Sequence, residues 1–193
     1  KEYRGYDPTP FLPVTQGYIV ESEEISERFL WDFRRTVADV YADIHWGTMT
    51  KLANADGLKL YLEAYNAGNF DAYQAMSRGD VPMSEFWFNR GGRNRGFAKH
   101  AASVSHTLRK PVTAAESFTA DNKGSGWWTN PFALKPYGDV ALASGINRFM
   151  IHTWPHQAFP GLRPGVTFGP WGINFTGHNS WFEQAQAWTD YLT

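Results

Sequence analysis

The chain has 193 residues, of which 42% are hydrophobic and 17% aromatic, so we expect one domain with a sizeable core rather than disorder. The net charge is −1 and the basic residues are scattered, which argues against a nucleic-acid partner or an anionic membrane surface. Cysteine is absent, which excludes disulfides and thiolate metal sites. No apolar run approaches the roughly 20 residues of a membrane span, and the first residues do not resemble a signal peptide.

The predicted elements begin after a proline-containing loop over residues 1–20. Apolar side chains then recur at steps of three and four residues, which predicts one amphipathic helix over 22–55 that Gly57 ends. Short apolar runs predict strands near 58–63, 83–88, 111–116 and 147–152. Between and after them we predict a short helical turn within 66–81 and helices over 95–109, 131–144 and 178–192. Strands that alternate with helices indicate parallel β/α units.

A polar residue closes each predicted strand, namely Glu63, Glu85, Glu116 and His152. Active sites of (β/α)₈ barrels are built at this end of several strands, whereas the glycine-rich phosphate turn of a doubly wound sheet is missing. Four units are half of such a barrel, which needs about 250 residues. The predicted fold is therefore α/β, half of a (β/α)₈ TIM-type barrel, and apparently a fragment.

Carboxylates at neighbouring strand ends suit glycoside hydrolysis, which in most families uses two of them across the scissile bond. Taken singly, a glutamate after a strand is usually a solvated or ion-paired end. His152 and His156 flank Trp154, and this group fits a metal site, a sugar-binding site or a packed loop. The aromatic residues in glycine- and proline-rich loops either cover the core or form a platform for sugar rings.

Several segments, in collinear order over nearly the whole chain, resemble glycoside hydrolase family 106, whose known members are bacterial α-L-rhamnosidases. They are Ser26–Arg35 (SERFLWDFRR), Ser84–Trp87 (SEFW), Ala115–Thr119 (AESFT), Gly145–Phe149 (GINRF), Gly169–Gly172 (GPWG) and Asn179–Gln184 (NSWFEQ). The resemblance implies that 1–193 is the C-terminal part of the catalytic barrel, strands 5–8. It also implies an inverting hydrolase for terminal α-L-rhamnosyl residues, and a periplasmic or secreted location.

The resemblance also implies site residues. Glu116 matches the general base on the seventh strand, and Glu85 matches a carboxylate of the active centre that contacts calcium or sugar. Glu63 falls in a Glu-Pro-Tyr-like position, although Ala64 replaces the proline. We expect Glu63, Trp87, His152, Trp154 and His156 to contact a rhamnose-containing glycan.

The family's general acid lies in an Asp-Ser-Tyr-Glu-like motif on the fourth strand, which this sequence does not contain. We therefore expect the chain alone to be inactive and to need the rest of the parent barrel as its partner. Two alternatives stay open, a non-catalytic carbohydrate-binding fragment and a barrel glycosidase of another sugar specificity.

Overall fold

The structure of the chain, a computed structural model, describes residues 1–65, 68, 70–89, 91–121 and 126–193, with the side chains of 91–95 outside the description. The α-helices are α1 (Glu23–Val40), α2 (Gly47–Ala55), α3 (Ala72–Arg78), α4 (Gly91–Thr107), α5 (Pro131–Ser144) and α6 (Ala185–Tyr191). The strands are β1 (Tyr61–Leu62), β2 (Val81–Trp87), β3 (Ala114–Thr119) and β4 (Arg148–Ile151). No described helix is long and apolar enough to cross a membrane.

The predicted long helix is present as a continuous helical path with an irregular middle. Ser22 caps α1 by accepting a hydrogen bond from the backbone N–H of Ile25 at 3.2 Å. A π-helical segment, Tyr41–Trp46, then joins α1 to α2. Ahead of α1, the predicted loop contains a 3₁₀ helix, Thr9–Gln16.

The four strands form one sheet in the order β1-β2-β3-β4, and every neighbouring pair is parallel. The predicted α/β class with parallel β/α units is therefore confirmed, while some boundaries differ by two or three residues. For example, β3 begins at Ala114 rather than Pro111. Proline has no N–H to donate, and the side chain of Asn147 accepts the N–H of Thr113 at 2.8 Å, so neither residue has a free N–H for the ladder.

The last predicted helix is shorter than expected, because 178–181 are not helical. Asn179 donates its side-chain amide to the backbone carbonyls of Asn174 and Thr176, and the indole of Trp181 donates to the carbonyl of Thr129 at 2.9 Å. These bonds hold the segment in turns. A 3₁₀ helix, Phe182–Gln184, then leads into α6.

Helices cover one side of the sheet, and two hydrophobic clusters lie between the layers. The larger one is centred on β2, β3, α5 and α6, where the rings of Phe86 and Phe118 meet edge to face at 4.8 Å. The smaller one includes Leu62 of β1, Met76 of α3 and Val104 of α4. These clusters hold the strands in register.

The opposite side of the sheet, here called the open face, carries Glu85, Trp87, Glu116 and Met150. Along β2, half-buried Glu85 and Trp87 alternate with buried Ser84 and Phe86, as the two-residue period of a strand requires. Met150 of β4 is 46% exposed on this face. A face of this kind would become the interior if further strands closed a barrel, and that closure stays a prediction.

Candidate active site

The four polar residues that were predicted to close the strands lie near the C-terminal ends of those strands. Glu63 directly follows β1 and His152 directly follows β4, as predicted. Glu85 and Glu116 are paired across β2 and β3 in register. They are not the last residues of their strands, since β2 runs on to Trp87 and β3 to Thr119. The reason is that the polar residue interrupts the apolar pattern on one face only, while the backbone pairing continues.

Glu85 is half-buried and is held by Tyr65, whose hydroxyl donates a hydrogen bond to Oε2. The Tyr65 ring packs on Phe97 of α4, with centroids 4.9 Å apart. Burial raises the pKa of Glu85 above its usual value, the charge of Glu116 adds to the rise, and the hydrogen bond from Tyr65 opposes it. Burial and the same hydrogen bond raise the pKa of Tyr65, so the phenol stays a donor.

Glu63 is the most strongly perturbed carboxyl group described. Its Oε1 is buried and has no hydrogen-bond partner among the described residues. Burial raises the pKa of Glu63 to about 8, and the negative charges of Glu116 and Glu85 add to this rise. Glu63 is therefore mostly protonated at pH 7 and can donate a hydrogen bond from its carboxylic acid.

Glu116 is held from two sides and still reaches solvent. The hydroxyl of Thr119 donates to Glu116 Oε1, and His152 Nδ1 lies 3.7 Å from the same oxygen. That separation is too long for a hydrogen bond but within ion-pair range if the imidazole is protonated. The side chains of Glu116 and His152 remain 29% and 21% exposed, so water can reach the pair.

A segment of the long loop after β4 joins the ends of β3 and β4. Gly172 N–H donates to the carbonyl of Ala120 at 2.7 Å, and Ile173 N–H donates to the carbonyl of His152 at 2.9 Å. Gly172 has φ +83°, and a Cβ there would lie 2.9 Å from the His152 carbonyl oxygen. Only glycine meets both demands without strain. The loop is thus fixed against the strand that carries His152.

This loop also completes an aromatic pair at the rim of the open face. Trp171 meets Trp87 edge to face, with ring centroids 5.6 Å apart, and is itself 45% exposed. Indole faces are suited to the apolar faces of sugar rings. Trp87, which was predicted to contact the glycan, therefore has Trp171 as a neighbour on the same rim.

Two predicted site residues lie apart from the carboxyl cluster. Trp154 is 65% exposed and packs edge-on against Phe175 and Phe182 of the larger cluster. His156 is exposed. Among the described residues, no contact joins either of them to Glu63, Glu85 or Glu116, and their role in sugar binding stays a prediction.

Tyr65, Thr119 and Trp171 belong to the site, although we did not predict them as site residues. Each had a signal in the sequence. Tyr65 follows Glu63 by two residues, Thr119 closes the Ala-Glu-Ser-Phe-Thr segment, and Trp171 lies in Gly-Pro-Trp-Gly. The sequence did not show which side chain each of them contacts.

A calcium ion at Glu85 stays a prediction. Calcium in proteins takes about six to eight oxygen ligands. Within the part of the chain that the structure describes, no three His, Asp or Glu side chains converge closely enough to hold a metal ion. These side chains alone do not complete a calcium site.

Comparisons with known proteins agree with the resemblance noted in the sequence. A family model described as alpha-L-rhamnosidase matches residues 1–193. A rhamnosidase from Novosphingobium sp. PP1Y superimposes with a TM-score of 0.90 at 38% identity, over 99% of this chain and 19% of that one. A Formosa agariphila protein named "Putative beta-glucuronidase" is 40% identical over 189 residues, which cover 98% of this chain and 16% of that protein. The chain thus spans less than a fifth of either relative. It belongs to the α-L-rhamnosidase family, glycoside hydrolase family 106.

Proposed function

We propose that this chain supplies the general-base side of the active site of an inverting glycoside hydrolase that removes terminal α-L-rhamnosyl units. The observation that carries the proposal is the carboxyl cluster on the open face. In it, Glu116 is oriented by Thr119 and reachable by water, beside the protonated Glu63 and the half-buried Glu85. A carboxyl group that burial keeps protonated beside other carboxyl groups is an arrangement that acid–base catalysis uses.

In the proposed reaction, Glu116 accepts a proton from a water molecule whose oxygen attacks the anomeric carbon. The bond from that carbon to the leaving oxygen breaks, and an acid on the opposite side of the sugar protonates the leaving oxygen. Inverting enzymes separate the two carboxyl groups by roughly 6.5–9.5 Å, which leaves room for the water. The acid would come from the Asp-Ser-Tyr-Glu-like motif, which this chain does not contain. The remaining barrel is therefore a required partner in this proposal.

Protonated Glu63 would donate a hydrogen bond to a sugar hydroxyl, since its Oε1 has no described partner. The indole rings of Trp87 and Trp171 would cover an apolar face of the ring. Calcium near Glu85 would add oxygen coordination to the sugar hydroxyls, if ligands from elsewhere complete its shell.

The charge of the cluster favours a neutral sugar over a uronic acid. Burial raises the pKa of both Glu63 and Glu85, and neighbouring carboxylates among the described groups raise it further. A uronate carboxylate would add a further negative charge to this cluster, which like-charge repulsion opposes. A rhamnosyl unit carries no charge and fits this electrostatic environment.

The test is Glu116→Gln in the full-length protein, assayed with an aryl α-L-rhamnoside and, in parallel, an aryl β-glucuronide. The amide keeps the shape but cannot accept the proton, so kcat should fall about 10²–10⁴-fold. Rhamnose binding should change little. Glu183→Gln, on an exposed glutamate, is the matched control and should leave kcat unchanged. NMR of the first product anomer reports inversion.

Each other outcome contradicts the proposal in a distinct way. Activity within a few-fold of wild type in Glu116→Gln would show that Glu116 is not the base. Turnover of the glucuronide but not the rhamnoside would show that the enzyme removes a glucuronosyl unit and not a rhamnosyl unit. Rhamnose binding without any turnover by the wild type would favour the non-catalytic carbohydrate-binding alternative, which the absent acid motif keeps in view.

A further inference from the structure

Strand β3 contains a β-bulge directly after Glu116. Phe86 is paired with Ser117, but the next residue of β2, Trp87, is paired with Thr119, so Phe118 is the extra residue. Phe118 has φ +64° and is fully buried in the larger hydrophobic cluster. A phenylalanine in the left-handed region is strained and persists because its surroundings hold it there.

The bulge decides which face of the sheet Thr119 occupies. In a regular strand, side chains alternate, so Thr119 would share the helix-covered face with Ser117. The extra residue shifts the alternation by one, because Phe118 packs into the core edge-on to Phe86 at 4.8 Å. Thr119 therefore emerges on the open face, on the same side as Glu116.

The hydroxyl of Thr119 then donates to Oε1 of Glu116. Thr119 is 3% exposed, so its side chain is packed in place. Its backbone is held by a hydrogen bond from the N–H of Phe88 to its carbonyl at 2.8 Å. His152 Nδ1 approaches the same oxygen at 3.7 Å. Among the described residues, no hydrogen bond uses Oε2 of Glu116.

We propose that Thr119 is a positioning residue for Glu116, and that the bulge at Phe118 exists to place it. The Thr119 hydroxyl occupies Oε1 and fixes the carboxylate plane, so that Oε2 is the oxygen that accepts the proton from water. This inference rests on the proposed function of Glu116 as the general base. It adds that base orientation depends on a hydroxyl that only the bulged strand delivers.

The test compares Thr119→Val and Thr119→Ser in the full-length protein with an aryl α-L-rhamnoside. Valine keeps the shape but removes the hydroxyl, and loss of a hydrogen bond to a charged group should lower kcat about 10- to 100-fold. KM should stay within about twofold, because Thr119 is only 3% exposed and the substitution changes the orientation of the base. Serine restores the donor and should recover most of kcat.

Ser117→Ala is the matched control, because it removes a buried hydroxyl from the opposite face of the same strand. The Ser117 hydroxyl donates a hydrogen bond to the carbonyl of Ala115 at 2.7 Å. It should leave kcat near that of wild type while costing some stability. If Thr119 had only a structural role, Thr119→Val and Ser117→Ala would behave alike. In both variants kcat would then either stay unchanged or change together with KM.

The two ideas fail separately. If wild type turns over the rhamnoside, Glu116→Gln does not, and Thr119→Val retains kcat within twofold, the positioning role is refuted while the base assignment stands. If Thr119→Ser is as slow as Thr119→Val, the hydroxyl is not what matters and the inference is also refuted. If Glu116→Gln remains active, the proposed function itself fails, whatever Thr119 does.

Discussion

Replacing Glu63 by glutamine should abolish a pH dependence of stability that this carboxyl group creates. The folded chain raises the pKa of Glu63 from its ordinary value of 4.5 to about 8. Between these two pH values the folded state holds a proton that the unfolded state has lost. The free energy of unfolding therefore falls as the pH rises from about 4.5 to 8 and is lowest above pH 8.

The size of the effect follows from the pKa difference. A change of one in pKa corresponds to about 1.4 kcal/mol, so the unscreened cost above pH 8 would be about 5 kcal/mol. Glu63 is half-buried rather than fully buried, and solvent screens part of this cost. We therefore expect about 2 kcal/mol after that discount. Glutamine imitates the protonated acid, so the variant and wild type should be equally stable near pH 5.

The assay is urea unfolding of the 193-residue chain at pH 5 and pH 8.5, followed by tryptophan fluorescence at low protein concentration without divalent cations. Glu63→Gln should gain about 2 kcal/mol over wild type at pH 8.5 only. Glu183→Gln, on the exposed 3₁₀ helix, serves as the control and should track wild type. The reasoning is refuted if wild type is the more stable protein at pH 8.5, or if Glu63→Gln retains the full pH dependence.

Three further expectations concern the site and the whole chain. Gly172→Ala should destabilise the chain by about 1–3 kcal/mol in urea unfolding, because its φ is +83° and its Cβ would meet the His152 carbonyl. Gly161→Ala, with open space around it, is the control and should leave the free energy of unfolding unchanged. Equal effects of the two substitutions would contradict this expectation. Tyr65→Phe should cost about 1–2 kcal/mol at pH 8 by removing the hydrogen bond to Glu85, and an unchanged midpoint would show that the bond contributes nothing. The 193-residue chain alone should release no aryl group from a rhamnoside and should associate in light scattering, because no described helix or strand covers its open face. A monomer that melts cooperatively would contradict the expected association, and release of the aryl group would contradict the expected inactivity.

The sequence by itself determined the class of the fold and the positions of the acidic residues along it. Apolar runs that alternate with amphipathic segments predict parallel β/α units, because strand and helix periods are visible within a few neighbouring residues. The same periodicity placed Glu63, Glu85 and Glu116 at the strands that carry them. Helix α1 was equally predictable, since Ser22 and the acids after it form a local cap.

The tertiary structure decided which of these residues act together. Nothing local predicts that Phe118 is extra in the register, since the left-handed conformation is unfavourable for phenylalanine and is maintained by the core around it. The pairing of Trp171 with Trp87 depends on a loop fixed by Gly172, and Trp154 packs instead on the larger cluster. The pKa of Glu63 likewise depends on burial and on two carboxylates from other strands. Periodicity is set by sequence neighbours, whereas distances between side chains on different strands depend on register and bulges, which are set by packing across the whole sheet.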